Sequence, residues 1–151
     1  MKRILLIIPL LLLLVGCKDE HENEKYAYLE YKNNLEKQEE FINDDSLDFN
    51  TFFDIVRDGD KVNYKLVINN PKKNMHNIKG MLINDFAGVE EYPTVGIFDK
   101  PKSLYTEHYG SVVFEGTILS ADDISDVKFK LYLEYNDEDG EEKIYSEIRR
   151  G

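Results

Sequence analysis

The stretch Val127-Lys128-Phe129-Lys130-Leu131-Tyr132-Leu133-Glu134-Tyr135 decides the fold. Apolar side chains at 127, 129, 131, 133 and 135 alternate with Lys128, Lys130, Tyr132 and Glu134. Successive side chains of a strand point to opposite faces, so this period of two predicts a half-buried strand. Asp139-Gly140 turns it back into a partner over Lys143–Ile148. Upstream, Val62, Tyr64, Leu66 and Ile68 alternate with Asn63, Lys65, Val67 and Asn69, and Asn69-Asn70-Pro71 ends that strand because proline cannot donate to a ladder. Asp58-Gly59-Asp60 predicts a hairpin leading back to Thr51–Arg57. Further strands are expected at Asn77–Ile83, Thr94–Phe98 and Ser111–Leu119, with Val95, Ile97 and Phe98 in the core. Ser120-Ala121-Asp122-Asp123 reads as a capped helical turn. Six or seven antiparallel strands in about 100 residues predict two sheets packed face to face. A barrel is the competing architecture.

Before residue 46 the period changes. From Glu22 to Asn43, Tyr28, Tyr31, Leu35 and Ile42 recur at spacings of three, four and seven, with Tyr26, Leu29 and Phe41 widening the apolar side. This predicts one amphipathic helix, stopped by Asn43-Asp44-Asp45-Ser46 and either docked on the domain or extended as a stalk. Two heptads with Gln38 in the seam are thin for a coiled coil.

The N-terminus carries an address. Lys2 and Arg3 precede an apolar run from Ile4 to Val15. A bilayer-spanning helix needs about 20 apolar residues, so this shorter run suits a signal peptide. Leu14-Val15-Gly16-Cys17 ends the run with the only cysteine of the chain. These four residues resemble the lipobox of bacterial lipoproteins. The resemblance implies cleavage after residue 16 and a diacylglyceryl thioether on Cys17, with a further acyl chain on its amino group. Two or more chains give stable anchoring, each buried methylene adding about 0.8 kcal/mol. The implied location is the extracytoplasmic face of the cell membrane, with membrane lipid as partner through the anchor. Cys17-Lys18-Asp19-Glu20 resembles the acidic export tag of surface lipoproteins in the Bacteroidetes, while the abundance of Lys, Asn, Ile and Asp suits low-GC Gram-positive bacteria. Val67-Ile68-Asn69-Asn70-Pro71, followed by Ile78 and Leu82, resembles small Gram-positive lipoproteins of no assigned activity. The strand series resembles an immunoglobulin-like β-sandwich without its disulfide. Three segments follow: a signal peptide over 1–16, a lipidated cysteine with acidic spacer and helix over 17–45, and a sandwich over 46–151.

Lipidation of Cys17 leaves no thiol for disulfides or thiolate metal sites. Of 19 basic residues, loss of Lys2 and Arg3 leaves 17 against 30 acidic ones, a charge of −13. Such a surface repels phosphate backbones, so no nucleic-acid partner is expected.

The chemistry-bearing residues form no strong motif. In Asn136-Asp137-Glu138-Asp139-Gly140-Glu141-Glu142, placing Gly140 sixth in an EF-hand loop puts Tyr135 first and Ser146 twelfth, where carboxylates are required. Asp44, Asp45, Asp48, Asp54, Asp58 and Asp60 form a second acidic series without metal-ligand spacing. His21, His76 and His108 do not fall in a zinc spacing. No nucleophile elbow or phosphate-binding glycine loop occurs. The reading is therefore no catalytic residue, no metal and no cofactor beyond the covalent lipid. Binding is expected on the aromatic loops Phe86–Pro93 and Lys100–Tyr105, through Phe86, Tyr92 and Tyr105. Ahead of that reading stands the expectation that Phe86, Tyr92 and Leu104 fold back to plug the sandwich ends. The favoured function is a non-catalytic binding or interaction module of unknown ligand, with an extracytoplasmic protein as one candidate partner. The alternatives are an accessory or immunity-type lipoprotein occluding a membrane partner and, less favoured, a hydrolase or metal-dependent enzyme.

Overall fold

The computed structural model describes residues 20–150. The signal peptide, the lipobox and Cys17 lie outside the described residues. The protein is mainly β, one helix followed by two antiparallel sheets. Helix α1 is Glu20–Lys37, and the strands are β1 (Asn50–Asp58), β2 (Lys61–Asn69), β3 (Met75–Asn84), β4 (Thr94–Val95), β5 (Lys102–Leu104), β6 (Ser111–Leu119), β7 (Phe129–Asn136) and β8 (Glu141–Ile148). One sheet has the order β1-β2-β6. The other has the order β4-β3-β7-β8, with β5 also paired to β3.

The alternating stretches do as their period requires. Val62, Tyr64, Leu66 and Ile68 of β2 face Phe129, Leu131, Leu133 and Tyr135 of β7 in one core, joined by Val112, Phe114 and Ile118 of β6. Tyr64 and Phe53 each set a ring against Phe129, centroids 4.9 and 4.8 Å away. At the β1–β2 hairpin Gly59 takes φ +60 as the first of two turn residues, which a side chain would resist.

A second, smaller core lies on the far face of the five-stranded sheet. Leu35 of α1 is fully buried there against Met81, Ile83, Ile97 and Tyr132, with Tyr28, Tyr31 and Phe41 packed around them. Thus α1 docks across β3 and β7. Tyr28, Tyr31 and Leu35 supply the predicted apolar side, whereas Tyr26 and Leu29 are exposed.

Several boundaries differ from expectation. The chain is already helical at Glu20, the first described residue, so Glu20–Glu24 of the predicted acidic spacer belongs to the helix. It ends at Lys37 rather than Asn43, because the chain beyond it turns away to contacts on β7 and β8. The chain then lays Phe41 beneath the Lys130 ammonium, 5.3 Å from the ring, and donates Ile42 N–H to Tyr145 O at 2.8 Å. It passes through a 3₁₀ turn at Asp44–Ser46 and buries Leu47 and Phe49 in the main core. Phe98 is not core. It is 54% exposed and rests on the Tyr28 ring, because the strand expected over Thr94–Phe98 stops at Val95. Ser120–Asp123 forms no helical turn; Ser120 Oγ accepts Asp122 N–H and Asp123 accepts Ser125 N–H, both local turns. Within the predicted loop Lys100–Tyr105, β5 pairs with β3 and buries Leu104.

Candidate functional site

Phe86, Tyr92 and Tyr105 are not brought together. Phe86 follows β3, donates its N–H to Asn84 Oδ1 and packs partly against the main core. Tyr92 packs against the second core, its N–H on the Tyr28 hydroxyl at 3.0 Å and its own hydroxyl on Asn84 O at 3.1 Å. Tyr105 lies by the opposite end of β3, since Leu104 pairs with Met75 at its start. Ten strand residues separate these ends by about 30 Å. Tyr105 is 42% exposed and sits edge-on between His76 and His108, beside a fully exposed Tyr109.

The acidic hairpin tip turns its charge inward on itself. Asp137 Oδ1 accepts the N–H groups of Asp139 and Gly140, and Lys73 Nζ lies 2.9 Å from Asp139 Oδ2. The Asp139 amide, with Lys73 near, holds Asp137 below the usual carboxylate range. Among the described residues no group of three or more His, Cys, Asp or Glu side chains is placed to hold a metal.

A polar clamp fastens α1. Glu134 of β7 accepts the Tyr31 hydroxyl on Oε1 at 2.7 Å and the Tyr132 hydroxyl on Oε2 at 2.6 Å, with Lys79 Nζ 3.9 Å away. The Tyr31 and Tyr132 rings meet at 4.8 Å. Burial, then the Glu134 carboxylate, pushes both phenols well above their ordinary pKa. Sequence reasoning missed this clamp because Tyr132 and Glu134 occupy the nominally polar face of their strand.

The outer face of the β1-β2-β6 sheet has no such cover among the described residues. Its side chains form five rungs across the strands, the outermost being Asn50, Asn69 and Ser111 at one end and Asp58, Lys61 and Leu119 at the other. Phe52, Val67 and Val113 make an apolar rung; Asp54, Lys65 and Glu115 a charged one; Val56, Asn63 and Thr117 a mixed one. Lys65 Nζ pairs with Glu115 Oε1 at 3.0 Å, and Thr117 Oγ1 donates to Asn63 Oδ1 at 2.8 Å. A shallow depression of about 390 Å³ lies over the charged and mixed rungs. At the edge strand Phe52 is 62% and Val56 55% exposed. The signal that could have found this face was in the sequence: β1 alternates Phe52, Asp54 and Val56 outward while Phe53 and Ile55 face the core.

Comparison with protein-family models, with curated proteins and with solved structures gives no match.

Proposed function

We propose that this protein is an extracytoplasmic lipoprotein, anchored through Cys17 to the cell membrane, that acts as a non-catalytic binding module for a protein partner. One observation carries the binding part. The outer face of one sheet is covered by the chain's own helix, whereas that of the other is uncovered among the described residues and presents Phe52 and Val56 at its edge. Large apolar side chains grouped at a surface mark interaction sites more often than single ones do. The lipobox residues Leu14-Val15-Gly16-Cys17 support the anchor. The alternative, an accessory lipoprotein occluding a membrane partner through the helix, is less favoured because Tyr28, Tyr31 and Leu35 of α1 already pack on its own sheet, leaving Tyr26 and Leu29 exposed.

We also infer an immunoglobulin-like arrangement. The orders β1-β2-β6 and β3-β7-β8 follow the A-B-E and C-F-G orders of that sandwich, with β4 and β5 in the C′ place.

The test is crosslinking and recovery of the intact protein from its own membranes, with Cys17→Ala as control. The wild-type chain is expected to take up labelled lipid and yield one dominant partner, and the variant to lose the label and leave the membrane or persist as precursor. Unchanged lipid labelling of Cys17→Ala would refute the anchor, and an anchored protein with no partner would refute the binding role.

A further inference from the structure

The four sheet edges are treated differently. At the β8 edge Ile42 N–H bonds Tyr145 O. Next to β3 the edge is broken into β4 and β5, of two and three residues. The outer side of β6 packs against β4 and β5. Along its nine residues β1 takes no backbone hydrogen bond except from β2 among the described residues, and no described strand pairs with its far edge. Its nine residues pair with β2 in unbroken register, without proline, lysine or bulge. Proline, lysine and bulges commonly block strand addition at a sheet edge; of the charges that also do so, β1 carries Asp54 at its middle and Arg57 and Asp58 at its turn end, where Arg57 is tied to Ser120 O. Phe53 and Ile55, which face the core from β1, stay only partly buried, whereas Tyr64, Leu66 and Ile68 beside them on β2 are buried. The sheet lacks a neighbour on this side.

The charged rung states which neighbour fits. It alternates Glu115, Lys65 and Asp54, negative, positive, negative, with Lys65 already paired to Glu115. Asp54 at the edge has no ion pair among the described residues. Opposite charges on directly facing residues stabilise a sheet, and like charges destabilise it. We propose that β1 is a strand-addition site for an extended segment of the protein partner that sets a basic side chain beside Asp54 and apolar ones beside Phe52 and Val56. The main chain of the partner takes up the open β1 edge, and its alternate side chains meet Phe53 and Ile55. The formal charge of −11 opposes a second copy of this chain and favours a basic segment. This inference rests on the binding-module reading and names the site and chemistry of its partner.

The probe is the fluorescein-labelled peptide Thr-Ile-Val-Lys-Val-Ile-Thr, whose pattern reads alike in either strand direction, titrated against the full chain in detergent micelles by anisotropy. Wild type is expected to bind it. Asp54→Lys should weaken binding about fivefold, the worth of one facing charge pair, and should prefer the same peptide with Glu in place of Lys. Phe52→Lys and Val56→Lys, both at exposed positions, should abolish binding with an unchanged circular dichroism spectrum. No binding by wild type, or binding indifferent to all three variants, would overturn the site. The partner recovered from membranes separates the two readings. Recovery unaffected by Phe52→Lys and Asp54→Lys keeps the binding role and removes strand addition; peptide binding without any membrane partner does the reverse.

Discussion

Gly116 shows how much one missing side chain decides. It pairs with Tyr64 across the β2–β6 ladder, and the Tyr64 ring lies over it so closely that a Cβ would overlap the tyrosine hydroxyl. Tyr64 is 2% exposed and packs on Phe129, so its ring can yield only by disturbing that contact. Gly116→Val is therefore expected to cost about 1–3 kcal/mol by overpacking, although valine is the better strand former. Urea denaturation reads this as a lower midpoint at unchanged slope; an unchanged midpoint would mean that the tyrosine moves aside freely. The glycine was visible in the sequence, but its reason was not, because Tyr64 lies far from it along the chain. Phe98 is the converse case. An apolar residue after Val95 and Ile97 reads as core, yet the strand ends before it and leaves the ring on Tyr28 at the surface.

Helix α1 has few stabilising features of its own. Its sequence is mostly polar, and a single isolated helix of this length is marginal in water. Leu35, wholly buried, and the two tyrosine hydroxyls on Glu134 hold it to the sheet. Leu35→Ala is expected to cost about 2–5 kcal/mol of docking energy. Amide hydrogen exchange should then rise along Glu20–Lys37 while β2 and β7 keep their protection. Equal loss of protection in the strands would show that helix and sandwich unfold as one unit. The element was legible from its spacing of three and four, and Tyr28, Tyr31 and Leu35 fell on the correct side. Its end was not legible, since the turn after Lys37 serves contacts with Lys130 and Tyr145 on distant strands.

Across the whole molecule, buried tyrosines tie stability to alkaline pH. Burial pushes Tyr64 and Tyr135 up to about 12, and Tyr31 and Tyr132 rise further in the same direction. An unfolded tyrosine titrates near 10. Below that pH both states hold the proton and these groups add no slope. Above it the unfolded chain releases protons that the folded chain keeps, so stability falls as pH rises from about 10 toward 12. Urea midpoints measured across this window should drop steadily, and Tyr64→Phe should flatten the drop. A midpoint constant to pH 12 would show that these phenols ionise without cost to the fold.

The sequence by itself determined the long strands, their hairpins and the mainly β class, because strand periodicity and turn chemistry are local and are written in neighbouring residues, whereas the short β4 and β5 took their bounds from pairing with β3. It also carried the lipobox resemblance, a signal read from adjacent residues. Only the tertiary structure decided which outer face is covered. The clamp that covers the five-stranded sheet joins Tyr31 to Glu134 across 103 residues, and no local pattern records such a meeting. The candidate site was less legible for the same reason. An open edge exists only once β2 has paired on one side of β1 and no other described strand on the other. Whether Phe52 is exposed is thus settled by the neighbours of its strand, while its outward direction follows from the alternation of β1 alone.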